Sequence, residues 1–238
     1  MSTVTKDCDG QELRRGKRGE SRLPPAIAVV AGAALYTLLP DDLQFAPRLV
    51  VPTVEGLLLV ALLVTNPYRM NRQTRLSRLT SLCLAAIVVL TNLVALAMLV
   101  ADLVRGDTSR PGLLLMAGLQ VWATNVIGFA LMYWELDRGG PVSRVRRPRE
   151  QIPDADWRFT QDEDHDTVAE VAAGSSMKSG WVPVFADYLY LSLTNSSAFS
   201  PTDTMPLSTR AKMLMGLQAT AALMVTLVIV ARAVGAII

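Results

Sequence analysis

Five apolar runs divide the chain: Pro24 to Leu39, Leu49 to Val64, Leu82 to Val104, Gly112 to Trp134 and Met213 to Ile238. Each is long enough, or nearly so, for a helix whose backbone hydrogen bonds close internally, as a lipid interior requires. The first two hold 16 residues each and reach about 24 Å at about 1.5 Å per residue, so flanking residues must complete a crossing. A sixth segment, Trp181 to Phe199, is of another kind. It reads WVPVFADYLYLSLTNSSAF, aromatic and apolar at first and then polar at Ser192, Thr194, Asn195, Ser196 and Ser197. Lipid does not tolerate that second half exposed. The pattern predicts either a sixth helix buried in the bundle, the preferred form because it places Arg232 near the cytoplasm, or a short re-entrant helix covered by protein or water. The expected fold class is an all-α polytopic transmembrane helix bundle with five clear spans plus one semi-polar short or re-entrant helix.

Composition agrees with the pattern. Of 238 residues, 51% are hydrophobic and 18% charged, with a mean hydropathy of +0.33, which excludes an ordinary soluble domain. The chain divides into a basic tail (1–23), a four-helix membrane region (24–136), a polar connector (137–180) and a final unit (181–238) of semi-polar helix, loop and last span. The long tail before the first run suits a signal anchor better than a cleaved signal peptide. Lys and Arg fall unevenly. Seventeen of the 23 lie in the tail, in the loop with Arg69, Arg72, Arg75 and Arg78, and in the connector, whereas the opposite loops hold Arg48, Arg105 and Arg110. Positive loops stay in the cytoplasm, so the N-terminus and connector are predicted there. Gly139, Gly140, Pro141, Pro148 and Pro153 break the connector, which reads as a mobile loop too poor in apolar residues to build its own core.

Candidate chemistry is sparse. There is one histidine, His165, and the two cysteines, Cys8 and Cys83, have no metal-ligand spacing, so no metal, cofactor or catalytic residue is expected. The run Asp162, Glu163, Asp164, His165 and Asp166 reads as a solvated acidic stretch balancing the upstream arginines rather than a cation loop. Arg144, Arg146, Arg147 and Arg149 either enforce topology or touch anionic lipid headgroups. Glu55, inside the second run and seven residues after Arg48, is either a proton or cation site or a structural carboxyl paired with a neighbouring helix. Asn92, Gln120, Thr124 and Asn125 suit interhelical hydrogen bonds, and Ala28 with Gly32 suits a close helix approach. The expected partners are the lipid bilayer, those headgroups and a second copy in a homo-oligomer. No nucleic-acid partner is expected.

Two blocks, YWELDRGGP (Tyr133 to Pro141) and FADYLYLSLTNSSAFSPTDTMPLSTRAKML (Phe185 to Leu214), resemble a family of bacterial integral membrane proteins known as a domain of unknown function. That resemblance implies a place in the bacterial cytoplasmic membrane and a helical fold, without an activity. The C-terminal segment also resembles, distantly, the pore module of potassium channels: a short aromatic helix ending in Thr and Ser, then Asp203 with Pro206 three residues on, Ser208 where Thr is common, and Lys212 in place of an Arg. The glycine filter is replaced by Ser200, Pro201 and Thr202, and proline forbids the backbone angles that a carbonyl cage needs. Two functional expectations follow. One is a non-enzymatic structural or regulatory membrane protein; the alternative is a channel-like protein whose polar path is lined by Thr194, Asn195, Ser196, Ser197 and Asp203. An enzyme would need Glu55, Asp187 and Asp203 at one depth, which their chain positions do not favour.

Overall fold

The computed structural model describes residues 19–44, 46–65, 70, 74–105, 111–163, 168–198 and 203–235. The fold is all-α apart from one two-residue ladder. Five long helices make the body: α1 (Leu23–Thr37), α2 (Val50–Thr65), α3 (Arg75–Arg105), α4 (Pro111–Leu136) and, last in the chain, α9 (Thr209–Gly235). Between α4 and α9 come short helices α5 (Pro141–Arg146), α6 (Ala169–Ala172) and α7 (Ser176–Ser179), then α8 (Phe185–Ser197). Strand β1 (Trp157–Arg158) pairs antiparallel with β2 (Met205–Pro206), Trp157 opposite Pro206.

Local chemistry explains the helix starts. Prolines 24 and 25 open α1 and Pro111 opens α4, at first-turn positions where a missing N–H costs nothing. Thr74 and Ser77 cap α3 reciprocally, each side chain accepting from the other's backbone N–H at 3.0 Å. Ser208 caps α9, its hydroxyl accepting from Ala211 N at 3.1 Å.

Among the described residues, three helices are long and apolar enough to cross a membrane: Arg75–Arg105, Gly112–Gly139 and Thr209–Ala231. The first two runs form helices of 15 and 16 residues, about 22 and 24 Å long. Where five spans were expected, the described residues thus hold three helices of spanning length and two shorter apolar helices. Large apolar side chains such as Ile27, Leu57, Leu90, Leu119, Leu223 and Leu227 face outward on these helices, while Asn92, Asn125 and Gln218 face inward. A body with leucine outside and amides inside suits an apolar surrounding.

α4 is the centre, touching α1, α3, α8 and α9. Two glycines allow the close approaches: a Cβ on Gly118 would meet Ile229 of α9 at 2.7 Å, and one on Gly128 would meet Val88 and Val89 of α3 at 3.2 Å. The small-residue pair of α1 works similarly, with Ala28 and Gly32 buried and Gly32 facing Ile127 of α4. Chain direction alternates, so one end of the bundle gathers Arg22, the end of α2, the start of α3, the end of α4 and the start of α9. Arg22 donates to Leu62 O at 2.6 Å, and Arg78 donates to Gly139 O.

The connector packs on that end, against the expectation of a mobile loop without a core. Trp157 is fully buried, its ring 4.8 Å from Tyr133 and its indole N–H directed at the Met215 sulfur at 3.1 Å. Phe159 packs edge-on to Tyr188 and Trp181. The connector needs no core of its own because a few aromatic side chains insert into that of the bundle.

Candidate functional site

α8 descends from the connector end into the bundle. It has 13 residues, about 20 Å, and its polar side faces α4 and α9 rather than solvent or lipid. At its start Asp187 accepts from Val184 N at 2.7 Å, a capping role. Deeper, Ser192 donates to Val126 O of α4 at 2.7 Å. Asn195 donates to Met215 O at 3.1 Å and to Gln218 Oε1 at 2.8 Å. The same Gln218 oxygen accepts from Tyr133 Oη at 2.6 Å, and its amide nitrogen lies 2.6 Å from Ser192 Oγ, 2.8 Å from Ser196 Oγ and 3.0 Å from Ser192 O. One glutamine of α9 therefore ties α4 and α8 together inside the buried core.

The chain is back at the connector end by Met205, in β2 beside Trp157, and Leu207 N donates to Asp156 O at 2.8 Å. α8 thus has 13 residues, and the described chain before it and from Met205 onward lies at the connector end. Of the proposed path-lining residues, Asn195 and Ser196 are buried against Gln218. Thr194 donates to Tyr190 O and Ser197 to Leu193 O, both within α8 and on its outer side. Asp203 is exposed at the connector end, well away from Asn195 along the chain's return.

Charges close the connector end. Glu20 Oε1 accepts from Phe185 N at 2.8 Å and from the Trp134 indole at 3.0 Å, joining the N-terminal segment, α4 and α8. Arg144, 2% exposed, lies 3.7 Å from Glu20 Oε2, donates to Trp134 O at 2.7 Å and Asp137 O at 2.9 Å, and sits over the Tyr188 ring. Asp137 accepts from Tyr188 Oη at 2.6 Å and from Asp156 N at 2.7 Å. Asp156 in turn holds Ser208 and both Nε and Nη2 of Arg210. Buried charge demands partners, and here each partner comes from a different segment. Burial pushes the Glu20 carboxyl above its ordinary range although Arg144 and the Phe185 and Trp134 donors pull it down. Burial likewise lowers Arg22, opposed by Glu135.

Of the four arginines read as enforcing topology or touching lipid headgroups, Arg144 faces inward and Arg149 donates to Ser176 O at 2.8 Å, while Arg146 and Arg147 are exposed. The described part of the acidic run is ion-paired, Asp162 with Arg138 and Glu163 with Arg158; residues 164–166 lie outside the described residues. The turn after α4 places Arg138, Gly139 and Gly140 at φ of 52°, 77° and 93°. Arg138 tolerates that conformation because Asp137 and Asp162 hold its guanidinium.

Glu55 sits apart, in the middle of the bundle and 3% exposed, with Asn92, Thr91 and Thr124 around the same small cavity. Arg48 pairs with Asp41 at 3.1 Å instead of with Glu55. Asn92 makes the expected interhelical bond to Val121 O at 2.7 Å, Gln120 reaches Leu38 O at 3.4 Å, and Thr124 bonds only within α4. Glu55, Asp187 and Asp203 occupy three separate places, on α2, at the start of α8 and in the loop before β2.

Sequence reasoning missed Gln218, Glu20, Asp156 and Asp137. Gln218 carried a signal, an amide in a 27-residue apolar helix. The acids lie in polar stretches where nothing in composition separates a buried carboxylate from a solvated one. No protein-family model, curated protein or solved structure matches the chain.

Proposed function

We propose that this is an integral protein of the bacterial cytoplasmic membrane, with its N-terminus and connector in the cytoplasm and a non-enzymatic, structural or regulatory role. The observation that carries this reading is the satisfaction of the α8 polar face inside the fold, centred on Gln218. Groups with their hydrogen bonds complete in a buried interface act as interhelical glue. The segments leaving the connector end also hold nearly all Lys and Arg, with Arg48, Arg105, Arg110 and Arg232 toward the other end by chain position, which supports the assigned direction. In this reading α8 is a re-entrant helix, short because its polar tip never reaches the far side.

The alternative is a channel-like protein. One observation favours it: the described chain before α8 and from Met205 onward lies at the same end, the course of a pore loop, and Thr194 and Ser197 lie on the outer side of α8 where a second copy in a homo-oligomer would meet them. Ion flux in proteoliposomes separates the two. The structural reading expects flux equal to that of empty liposomes, with Asn195→Leu lowering the melting temperature. Flux that changes on Thr194→Val or Asp203→Asn replaces it with the channel-like one.

A further inference from the structure

The cavity beside Glu55 is walled by Gly32, Leu39, Ala95 and Val121, and its polar neighbours are Tyr36, Thr91, Asn92 and Thr124, whose donor hydrogens are already committed elsewhere. Asn92 donates its amide hydrogens toward Val121 O at 2.7 Å, and because a carbonyl can only accept, the orientation of that amide is fixed, leaving Asn92 Oδ1 turned the other way. Thr91 donates to Val88 O at 3.0 Å and Thr124 to Gln120 O at 2.9 Å. Tyr36 donates to Ala46 O at 3.3 Å. Each hydroxyl keeps lone pairs and has no hydrogen left for the cavity. Glu55 Oε2 and Asn92 Oδ1, both on side chains 3% exposed, have no donor within hydrogen-bond reach.

Two unpartnered acceptors on one small buried cavity are unfavourable in an apolar interior unless a proton or a cation lies between them. We infer that Glu55 of α2, Asn92 and Thr91 of α3 and Thr124 of α4 form a binding site for a small monovalent cation of sodium size. Charge selects the valence: one carboxylate neutralises one positive charge, while a divalent ion would leave a net charge buried far from water. Size follows from the cavity, which holds about 10 Å³, room for one water-sized species and not for a hydrated ion. Hard oxygen ligands suit such a cation, and irregular polar sites near the middle of a helix bundle are where ions are bound in membrane proteins. Because the ligands come from three helices, the ion links α2 to the α3–α4 pair.

The test is thermal unfolding of the full-length protein in detergent at pH 8, with NaCl exchanged for choline chloride at constant ionic strength. Sodium is expected to raise the melting temperature saturably by several degrees, since a ligand bound only by the folded state stabilises it by mass action. Glu55→Gln should abolish the response, its amide being able to donate to Asn92 Oδ1 and replace the ion. Thr124→Val, which keeps shape and removes one ligand oxygen, should raise the half-saturating sodium concentration several-fold, and this holds as a second readout if Glu55→Gln does not fold. An identical melting temperature in both salts overturns the inference. So does an equal sodium response in wild type and Glu55→Gln, which places the ion elsewhere, or a melting temperature that follows pH without following sodium, which makes the occupant a proton.

Discussion

Tyr133 Oη and Gln218 Oε1, 85 positions apart in the chain, lie 2.6 Å from each other in the centre of the bundle. The contact joins α4 to α9, and through Asn195, Ser192 and Ser196 the same glutamine holds α8. Gln218→Leu keeps the volume and removes every one of those bonds, leaving the Tyr133 hydroxyl and the Asn195 amide without this partner in the core. The expected cost is about 2 kcal/mol, because stranded buried donors lose their full solvation. Thermal unfolding in detergent checks it. A variant as stable as wild type would mean that the α8 polar face is not structural.

Gly139 stands at φ +77°, and a Cβ there would meet Pro153 Cγ and Ser143 Oγ at 2.9 Å. Both backbone strain and overpacking therefore act on Gly139→Ala, for a loss of roughly 1–3 kcal/mol. The damage should be local, freeing the connector from Tyr133 and Met215 before the bundle melts. Limited proteolysis reads this directly: cleavage between Arg146 and Arg158 should speed up at temperatures where the helices persist by circular dichroism. Unchanged cleavage counts against the tight turn as the anchor of the connector.

Stability should respond to pH through Glu20. Its carboxyl is raised in the folded protein, chiefly by burial, above an ordinary value of 4.5. A raised acid contributes stability that is complete below the unfolded value and is lost as pH climbs through the folded one. Wild type should therefore weaken from about pH 4.5 upward, and Glu20→Gln, which keeps an oxygen acceptor for Phe185 and Trp134, should flatten that slope. Denaturation midpoints across the acid-to-neutral range decide it; parallel curves for the two proteins remove Glu20 as the source.

Topology offers a fourth prediction. In a background lacking Cys8 and Cys83, cysteine at Asp41 should react with an impermeant reagent in intact cells, while cysteine at Asp154 or at Asp203 should react only after the cells are opened. Asp41 opens a short 3-10 turn, Asp154 and Asp203 lie in loops, and all three are exposed. Labelling of Asp203 together with Asp41 would contradict re-entry, because it puts the loop before α9 on the face opposite the connector.

Much of the helical content could be read from the sequence, since apolar runs in lipid leave the backbone no other way to satisfy its hydrogen bonds. The starts of α1 and α4 at Pro24 and Pro111, and of α9 at Ser208, follow from the same local chemistry. The connector was not legible, because Trp157 contributes to a core supplied by α4 and α9, and a composition count over 137–180 cannot register a pocket made elsewhere. The candidate polar residues were found by type but not by partner. Asn195 and Ser196 were visible as polar groups in an apolar setting, whereas their burial against Gln218 depends on how α8 is rotated and how deep it sits.

By itself, then, the sequence determined an all-α chain rich in apolar helices, the polar character of 181–199, and which segments carry positive charge. These are local properties, set by hydrogen-bond closure and side-chain solvation one segment at a time. Only the tertiary structure decided that Met205 lies beside Trp157, that Arg144 faces Glu20 and Tyr188, and that Glu55 shares a cavity with Asn92. Those outcomes are pairings between residues distant in sequence, and a polar side chain's role is set by the partner that packing brings to it.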